Sequence, residues 1–231
     1  MFALLVVFFL CYLIGSIPSS LWMGKVFYKV DIREHGSGNA GATNTFRILG
    51  WKAGTIVLLF DFGKGLICTT VISQWAYLIG SGPISFHPAW EVDAMLVILC
   101  GVGAVIGHMF PVYANFSGGK GAATACGMLY GIEPISISIT LAIFLIVMLS
   151  THYVSLGSIS GAIIYPISQL VLRYGIGWDI DGSIIIFSSA IAIGIIVKHK
   201  GNIQRLLNGT ENRIDSFKPS KGRINQQEAG S

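Results

Sequence analysis

Lys120-Gly121-Ala122-Ala123-Thr124-Ala125-Cys126-Gly127-Met128-Leu129-Tyr130 separates two possible folds. The run is apolar and rich in glycine and alanine, but it is far shorter than the roughly 20 residues a helix needs to cross a bilayer. A half-helix of this kind is tolerated at membrane depth only where protein or a cavity satisfies its ends. Counted as a crossing, it brings the number of spans to seven and sets the termini on opposite faces. Left out, it leaves six spans and termini on one face.

The six longer apolar runs flanking it cover 2–23, 54–79, 94–112, 135–151, 157–173 and 183–198. Charge decides the count. Lys25, Lys29, Arg33, Arg47 and Lys52 lie in or beside the first loop, Lys120 precedes the short run, and Lys198, Lys200, Arg205, Arg213, Lys218, Lys221 and Arg223 follow the last span. The loops around 80–93, 131–134 and 174–182 carry Glu91, Asp93, Glu133, Asp179 and Asp181 instead. Basic loops stay in the cytoplasm. That pattern requires an odd number of spans, so the expected fold is an all-α integral membrane protein of seven transmembrane helices, one short. Its N-terminus is outside and its C-terminus cytoplasmic.

Composition agrees with lipid as the solvent. Of 231 residues, 53% are hydrophobic and only 11% charged, against about 25% charged in soluble domains; mean hydropathy is +0.69. The first run has no basic residue before it and no clean small-x-small cleavage site, so it reads as an uncleaved first helix. Cys11, Cys68, Cys100 and Cys126 are scattered through apolar runs as packing residues. The net charge of +4 is spread over membrane-proximal loops, which fits orientation and contact with membrane lipids and argues against nucleic-acid binding. Residues 1–213 are expected to form a single polytopic domain. Residues 214–231, polar and without apolar periodicity, form a disordered tail.

The polar chemistry is concentrated in the basic segments. Gly36-Ser37-Gly38-Asn39-Ala40-Gly41-Ala42-Thr43-Asn44-Thr45-Phe46-Arg47 occupies the first loop. Its glycines let backbone amides turn toward an anion, and Arg47 can grip a phosphate through two parallel hydrogen bonds. An ordinary loop with a helix cap at Thr43 or Asn44 needs no such density of anion-binding groups. The second segment is Gly107-His108-Met109-Phe110-Pro111 followed by Phe116-Ser117-Gly118-Gly119-Lys120-Gly121. Amides at a helix start beside an ammonium suit a phosphate, with close packing through small residues as the alternative for the glycines. Lys120 is followed by Gly121 rather than Ser or Thr, so this is no nucleotide-triphosphate loop.

The third segment is in two pieces: a tight turn carrying Ser155 and Ser158, and the stretch after the last span with His199, Asn202, Arg205 and Glu211. If helical, His199 and Asn202 share a face, and Arg205 and Glu211 hold that helix in place. Asp61 and Lys64, three apart near the start of the second span, are costly in lipid unless paired. They form an ion pair on the site floor or a purely structural one.

Gly36-Ser37-Gly38-Asn39-x-Gly41-x-Thr43-Asn44-x-x-Arg47, Gly107-His108-x-Phe110-Pro111 with Gly118-Gly119-Lys120-Gly121, and His199-x-x-Asn202-Ile203-x-Arg205-Leu206-Leu207-x-Gly209-x-Glu211 together resemble the bacterial acyl-phosphate:glycerol-3-phosphate acyltransferases, the PlsY family, over roughly residues 1–213. The resemblance implies a multi-pass enzyme of the bacterial inner (cytoplasmic) membrane with its active site facing the cytoplasm. Such an enzyme moves a fatty acyl group from acyl phosphate to the 1-hydroxyl of glycerol 3-phosphate, giving lysophosphatidic acid and phosphate for phospholipid synthesis, with no cofactor and no metal. Ser37, His199 and Asn202 are then expected to be catalytic. Gly36, Gly38, Asn39, Thr43, Asn44, Arg47, His108, Gly118, Gly119, Lys120, Gly121, Ser155 and Ser158 would bind substrate, and Asp61, Lys64, Arg205 and Glu211 would be structural. No Gly-x-Ser-x-Gly elbow or catalytic cysteine is present, which favours direct attack over a covalent acyl-enzyme. The competing reading is a small transporter of a phosphorylated solute. Its sites would be expected near the midplane and between internal repeats, and neither is seen in the sequence.

Overall fold

In the computed structural model, residues 2–80 and 91–213 are described, Val92 by its backbone alone. Residues 81–90 and the polar tail 214–231 lie outside the described residues.

The first apolar stretch, Phe2–Tyr28, comprises α1 (Phe2–Gly15), a break, α2 (Ser19–Trp22) and a wide π-helical turn, Met23–Tyr28. Pro18 causes the break: it has no N–H to continue the ladder, and it disfavours helical geometry at Ile17. A short amphipathic helix, α3 (Ala42–Leu49), follows the glycine-rich loop and turns through Gly50 into α4 (Trp51–Ile67). A π-helical turn, Cys68–Ile72, and α5 (Trp75–Leu78) complete the second stretch.

Next come α6 (Val92–Met109), α7 (Ala122–Ile132), α8 (Pro134–Thr151), α9 (Val154–Leu170), α10 (Gly182–Lys198) and α11 (Lys200–Leu207). Local chemistry sets several starts. The Glu133 carboxylate accepts from the Ile135 and Ser136 amides at 3.0 and 2.7 Å, with Pro134 pre-set at the first helical position. Asp181 caps α10 through the Ser183 amide at 2.7 Å.

Five stretches, of 27, 28, 22, 18 and 23 residues, are long and apolar enough to cross a membrane, and joining α10 to α11 across their 56° bend gives a sixth. Their outer surfaces suit lipid: Leu59, Ile146, Ile193 and Val197 each leave more than half their surface open. At 11 residues, α7 is only about 16 Å long, half the roughly 30 Å of a bilayer core. It survives at this depth because it is wedged against α4, α6 and α8. A Cβ on Gly127 would lie 1.8 Å from the Phe62 carbonyl oxygen, and one on Gly65 would lie 2.0 Å from that of Thr124. The backbones of α4 and α7 therefore touch, as small residues allow.

Two sequence expectations shift. Because α4 begins at Trp51, Asp61 and Lys64 sit well inside the second stretch, the former about 15 Å along it, and not near its start. Ser155 and Ser158 lie on the first turns of α9 and not in the preceding turn.

Candidate active site

A cavity of about 790 Å³ opens among α3, α4, α7, α8, α9, α10 and α11. One end is polar, walled by Ser37, Gly38, Asn39, Thr43, Arg47, Lys120, Gly121, Ser155, Ser158, His199, Asn202, Arg205 and Glu211. The other runs down between the helices past Leu59, Phe62, Leu141, Phe144 and Ile195 and is apolar.

Glu211 organises the polar end. Its Oε1 accepts from Ser155 Oγ at 2.9 Å and Asn202 Nδ2 at 2.7 Å, and its Oε2 accepts from Arg205 Nε at 2.8 Å. Asn202 Oδ1 in turn accepts from Lys120 Nζ. One carboxylate thus ties together α9, α11 and the start of α7. Burial would raise its pKa, but the bonds from Asn202, Ser155 and Arg205 outweigh that and hold it below the ordinary carboxylate value.

The cations at this end are under strain of the opposite kind. Burial pushes the Lys120 ammonium toward its neutral form, and Arg205 and Arg47 add like charge that Glu211 only partly offsets. Burial also lowers the Arg47 pKa, with Glu211 opposing and Arg205 adding to the shift. Neither Arg47 nor Lys120 has an ion-pair partner among the described residues. His199 is buried at the bend between α10 and α11, where its Nδ1 donates to the Ile195 carbonyl at 2.8 Å. That tautomer leaves Nε2 as an acceptor. Burial, reinforced by Lys120, holds the imidazole pKa below its usual value despite the Ile195 carbonyl.

The glycine-rich loop is built differently from its expected role. Fully buried Asn44 accepts the Ser37 amide at 3.0 Å and donates to the Ile32 and His35 carbonyls at 2.8 and 3.0 Å. The Gly38 amide is spent on the His35 carbonyl at 3.1 Å. Gly36 sits at φ +61, where a Cβ would be 2.4 Å from Asn44 Oδ1, so only glycine fits this turn. Asn44 and Gly36 shape the loop from behind and do not line the cavity. The first-turn amides of α3, at Ala42 and Thr43, have no acceptor within their helix.

Gly118 and Gly119 are likewise off the cavity wall. The Gly119 amide donates to the His108 carbonyl at 3.2 Å, and a Cβ there would be 2.2 Å from His108 Nε2. These glycines allow close packing, and only Lys120 and Gly121 of that loop reach the cavity.

Beneath lies a buried ionic cluster. Lys64 Nζ is 2.7 Å from Asp61 Oδ1 and donates to the Gly15 and Ile17 carbonyls, at the Pro18 break, at 3.2 and 2.9 Å. Ser19 Oγ donates to the same Asp61 oxygen at 2.6 Å, and His108 Nδ1 stands 3.5 Å from it. Asp61 and His108 edge the cavity, whereas Lys64 does not.

Ala42, Lys198, Gly201 and Asn212 also line the cavity without having been given a role, although each adjoins a residue that was, and Gly41 of the glycine-rich motif joins them. The apolar wall carried no signal of its own, because helices in lipid are apolar on every face.

The profile of the glycerol-3-phosphate acyltransferase family matches residues 5–209. The chain is 46% identical over 230 residues to the glycerol-3-phosphate acyltransferase of Salinibacter ruber, covering 99% of this chain and 100% of that one. It is 42% identical to the enzyme of the same name from Chlorobaculum tepidum, over 93% and 97% of the two chains. Among solved structures it resembles PlsY, an integral membrane glycerol 3-phosphate acyltransferase. For the glycerol 3-phosphate form the TM-score is 0.72 at 34% identity, covering 91% of this chain and 95% of that one. For the lysophosphatidic acid form it is 0.73 at 33% identity, covering 94% and 98%.

Proposed function

This chain belongs to the glycerol-3-phosphate acyltransferase family, and on that premise we propose how its cavity carries out the acyl transfer. The protein is an integral-membrane acyltransferase of phospholipid synthesis. In the proposed reading its donor is acyl phosphate and its acceptor the 1-hydroxyl of glycerol 3-phosphate. Seven spans, α7 counted as the short one, run from an outside N-terminus to a cytoplasmic C-terminus in the bacterial inner membrane. The site then faces the cytoplasm, where the water-soluble acceptor arises. Residues 1–213 act as one catalytic domain.

One observation carries the donor assignment: the half-buried cations Arg47 and Lys120, without ion-pair partners among the described residues, guard the polar end of a cavity whose other end is apolar. An acyl phosphate has that same division, and glycerol 3-phosphate brings a second phosphate to the same end. The first amides of α3 and α7 stand beside the two cations and add partial positive charge.

In the reaction, the glycerol 3-phosphate hydroxyl oxygen attacks the acyl carbon and the carbon–oxygen bond to phosphate breaks. The leaving phosphate takes the hydroxyl proton. Ser37 Oγ polarises the carbonyl, and Arg47 and Lys120 stabilise the phosphate charge that grows as the bond breaks. Asn202 and His199 Nε2 orient the attacking hydroxyl, Ser158 assists, and Glu211 keeps Asn202 and Ser155 in register.

Purified protein in detergent, given acyl phosphate and glycerol 3-phosphate, should yield lysophosphatidic acid and inorganic phosphate one for one. Transfer from acyl-CoA or acyl carrier protein with none from acyl phosphate would overturn the donor assignment. Uptake of a phosphorylated solute by proteoliposomes, without product, would favour a transporter instead.

A further inference from the structure

The cavity ends at a defined depth. Each helix that walls it contributes residues only so far: α7 to Leu129, α8 to Ile137, α9 to Tyr165 and α10 to Ser188. From Ser155 at the polar end to Tyr165 is ten residues of α9, about 15 Å. Tyr165 is the largest fully buried side chain, 2% exposed, and it packs against Leu129 and Ile137. Its hydroxyl has no hydrogen-bond partner among the described residues, nor has that of Thr140 on the facing helix. The neighbouring Ser188 and Gln169 side chains bond to each other at 2.6 Å and hold α9 to α10.

We infer that Tyr165 is the end stop of the acyl slot and sets the acyl-chain length this enzyme accepts. The inference rests on the acyl-phosphate reading above, which fixes the carbonyl at the polar end. From there an apolar chain that follows the apolar wall down between α7, α8, α9 and α10 meets the Tyr165 ring at the bottom. That ring is hemmed in by Leu129 and Ile137, so a longer chain has no room made for it by a rotamer change.

Ala162 lines the same wall one turn nearer the polar end and is almost fully buried. It supplies a test of the opposite sign. Wild type, Tyr165→Ala, Tyr165→Phe and Ala162→Leu are to be purified in detergent. Each is assayed for kcat/KM on a graded series of saturated acyl phosphates at fixed glycerol 3-phosphate. Tyr165→Ala should move the optimum to longer chains, raising the long-to-short ratio by at least about tenfold, the discrimination a methylene commonly carries. Ala162→Leu should move it to shorter chains by a similar factor, and Tyr165→Phe, which keeps the ring, should retain the wild-type optimum. If wild type transfers acyl groups but the optima of Tyr165→Ala and Ala162→Leu coincide with its own, the end stop is wrong; a shifted optimum in Tyr165→Phe contradicts it too. Should either cavity variant fail to fold, the other decides. A wild type inactive on every acyl phosphate would bring down the donor reading, and the end stop with it.

Discussion

Lys64 and Lys120 are both lysines withdrawn from water, and they differ in what surrounds the ammonium. Lys64 is 3% exposed and has Asp61 at 2.7 Å plus two backbone carbonyls. Lys120 has the Asn202 carboxamide as its hydrogen-bond partner, and Arg205 and Arg47 beside it add like charge that Glu211 only partly offsets. The first charge is answered by the protein and contributes to folding. The second is answered only in part, which leaves room for the anion a substrate brings. Pairing, more than burial, distinguishes a structural charge from a functional one here.

The largest expected effect falls on the satisfied side of this contrast. Lys64→Met leaves the Asp61 carboxylate, 1% exposed, with only Ser19 and His108 to answer it, and should cost about 3 kcal/mol of stability. Thermal unfolding in detergent would detect this, and replacing Asp61 by Leu as well should restore much of the loss. A single variant as stable as wild type would remove the distinction between the two lysines.

At the functional end, His199→Gln keeps a side chain able to bond the attacking hydroxyl. It should lower kcat by no more than about tenfold, below the roughly hundredfold or more that losing a proton-transfer group costs, while the shape of the pH–rate profile between about pH 6 and 9 stays that of wild type. Loss of the acid limb in that variant would make His199 the base instead of the leaving phosphate. Arg47→Lys preserves charge but gives up the bidentate fork, so kcat/KM should fall by about tenfold with no change in unfolding temperature.

The smallest effect is in alkali. Burial and its cationic neighbours depress the Lys120 pKa, so its charge is present at lower pH and lost before pH reaches the ordinary lysine value of about 10.4. Substrate KM should rise through that alkaline window, and Lys120→Arg should remove the rise from it, because a guanidinium stays charged there. An alkaline limb that does not move would exclude Lys120 from the phosphate contacts.

Much of this was legible in the sequence, for identifiable reasons. The long runs could be read because lipid demands uninterrupted apolarity: 135–151 and 183–198 each differ from α8 and α10 by one residue at the N-terminal end. The polar end could be read because Arg47, Lys120, His199 and Asn202 are expensive where they stand. The division of labour within the glycine-rich loops could not. Whether Asn44 faces substrate or the Ile32 and His35 carbonyls depends on a turn closed by contacts twelve and nine residues apart. Gly118 and Gly119 follow the same logic, since packing on His108 and cradling a phosphate ask for the same residue. The apolar half of the cavity was hidden altogether. Tyr165 and Leu129 line the slot from helices that are apolar on their outer faces as well, so no change in polarity marks the slot-facing side.

The central claim is that the half-buried cations of the polar end hold substrate phosphate. Steady-state kinetics of Lys120→Met with both substrates varied, alongside its unfolding temperature, test it most directly. A wild-type unfolding temperature with kcat/KM reduced by about a hundredfold or more is the predicted result. Activity within about threefold of wild type, a difference too small for a lost charge-assisted contact, would contradict it.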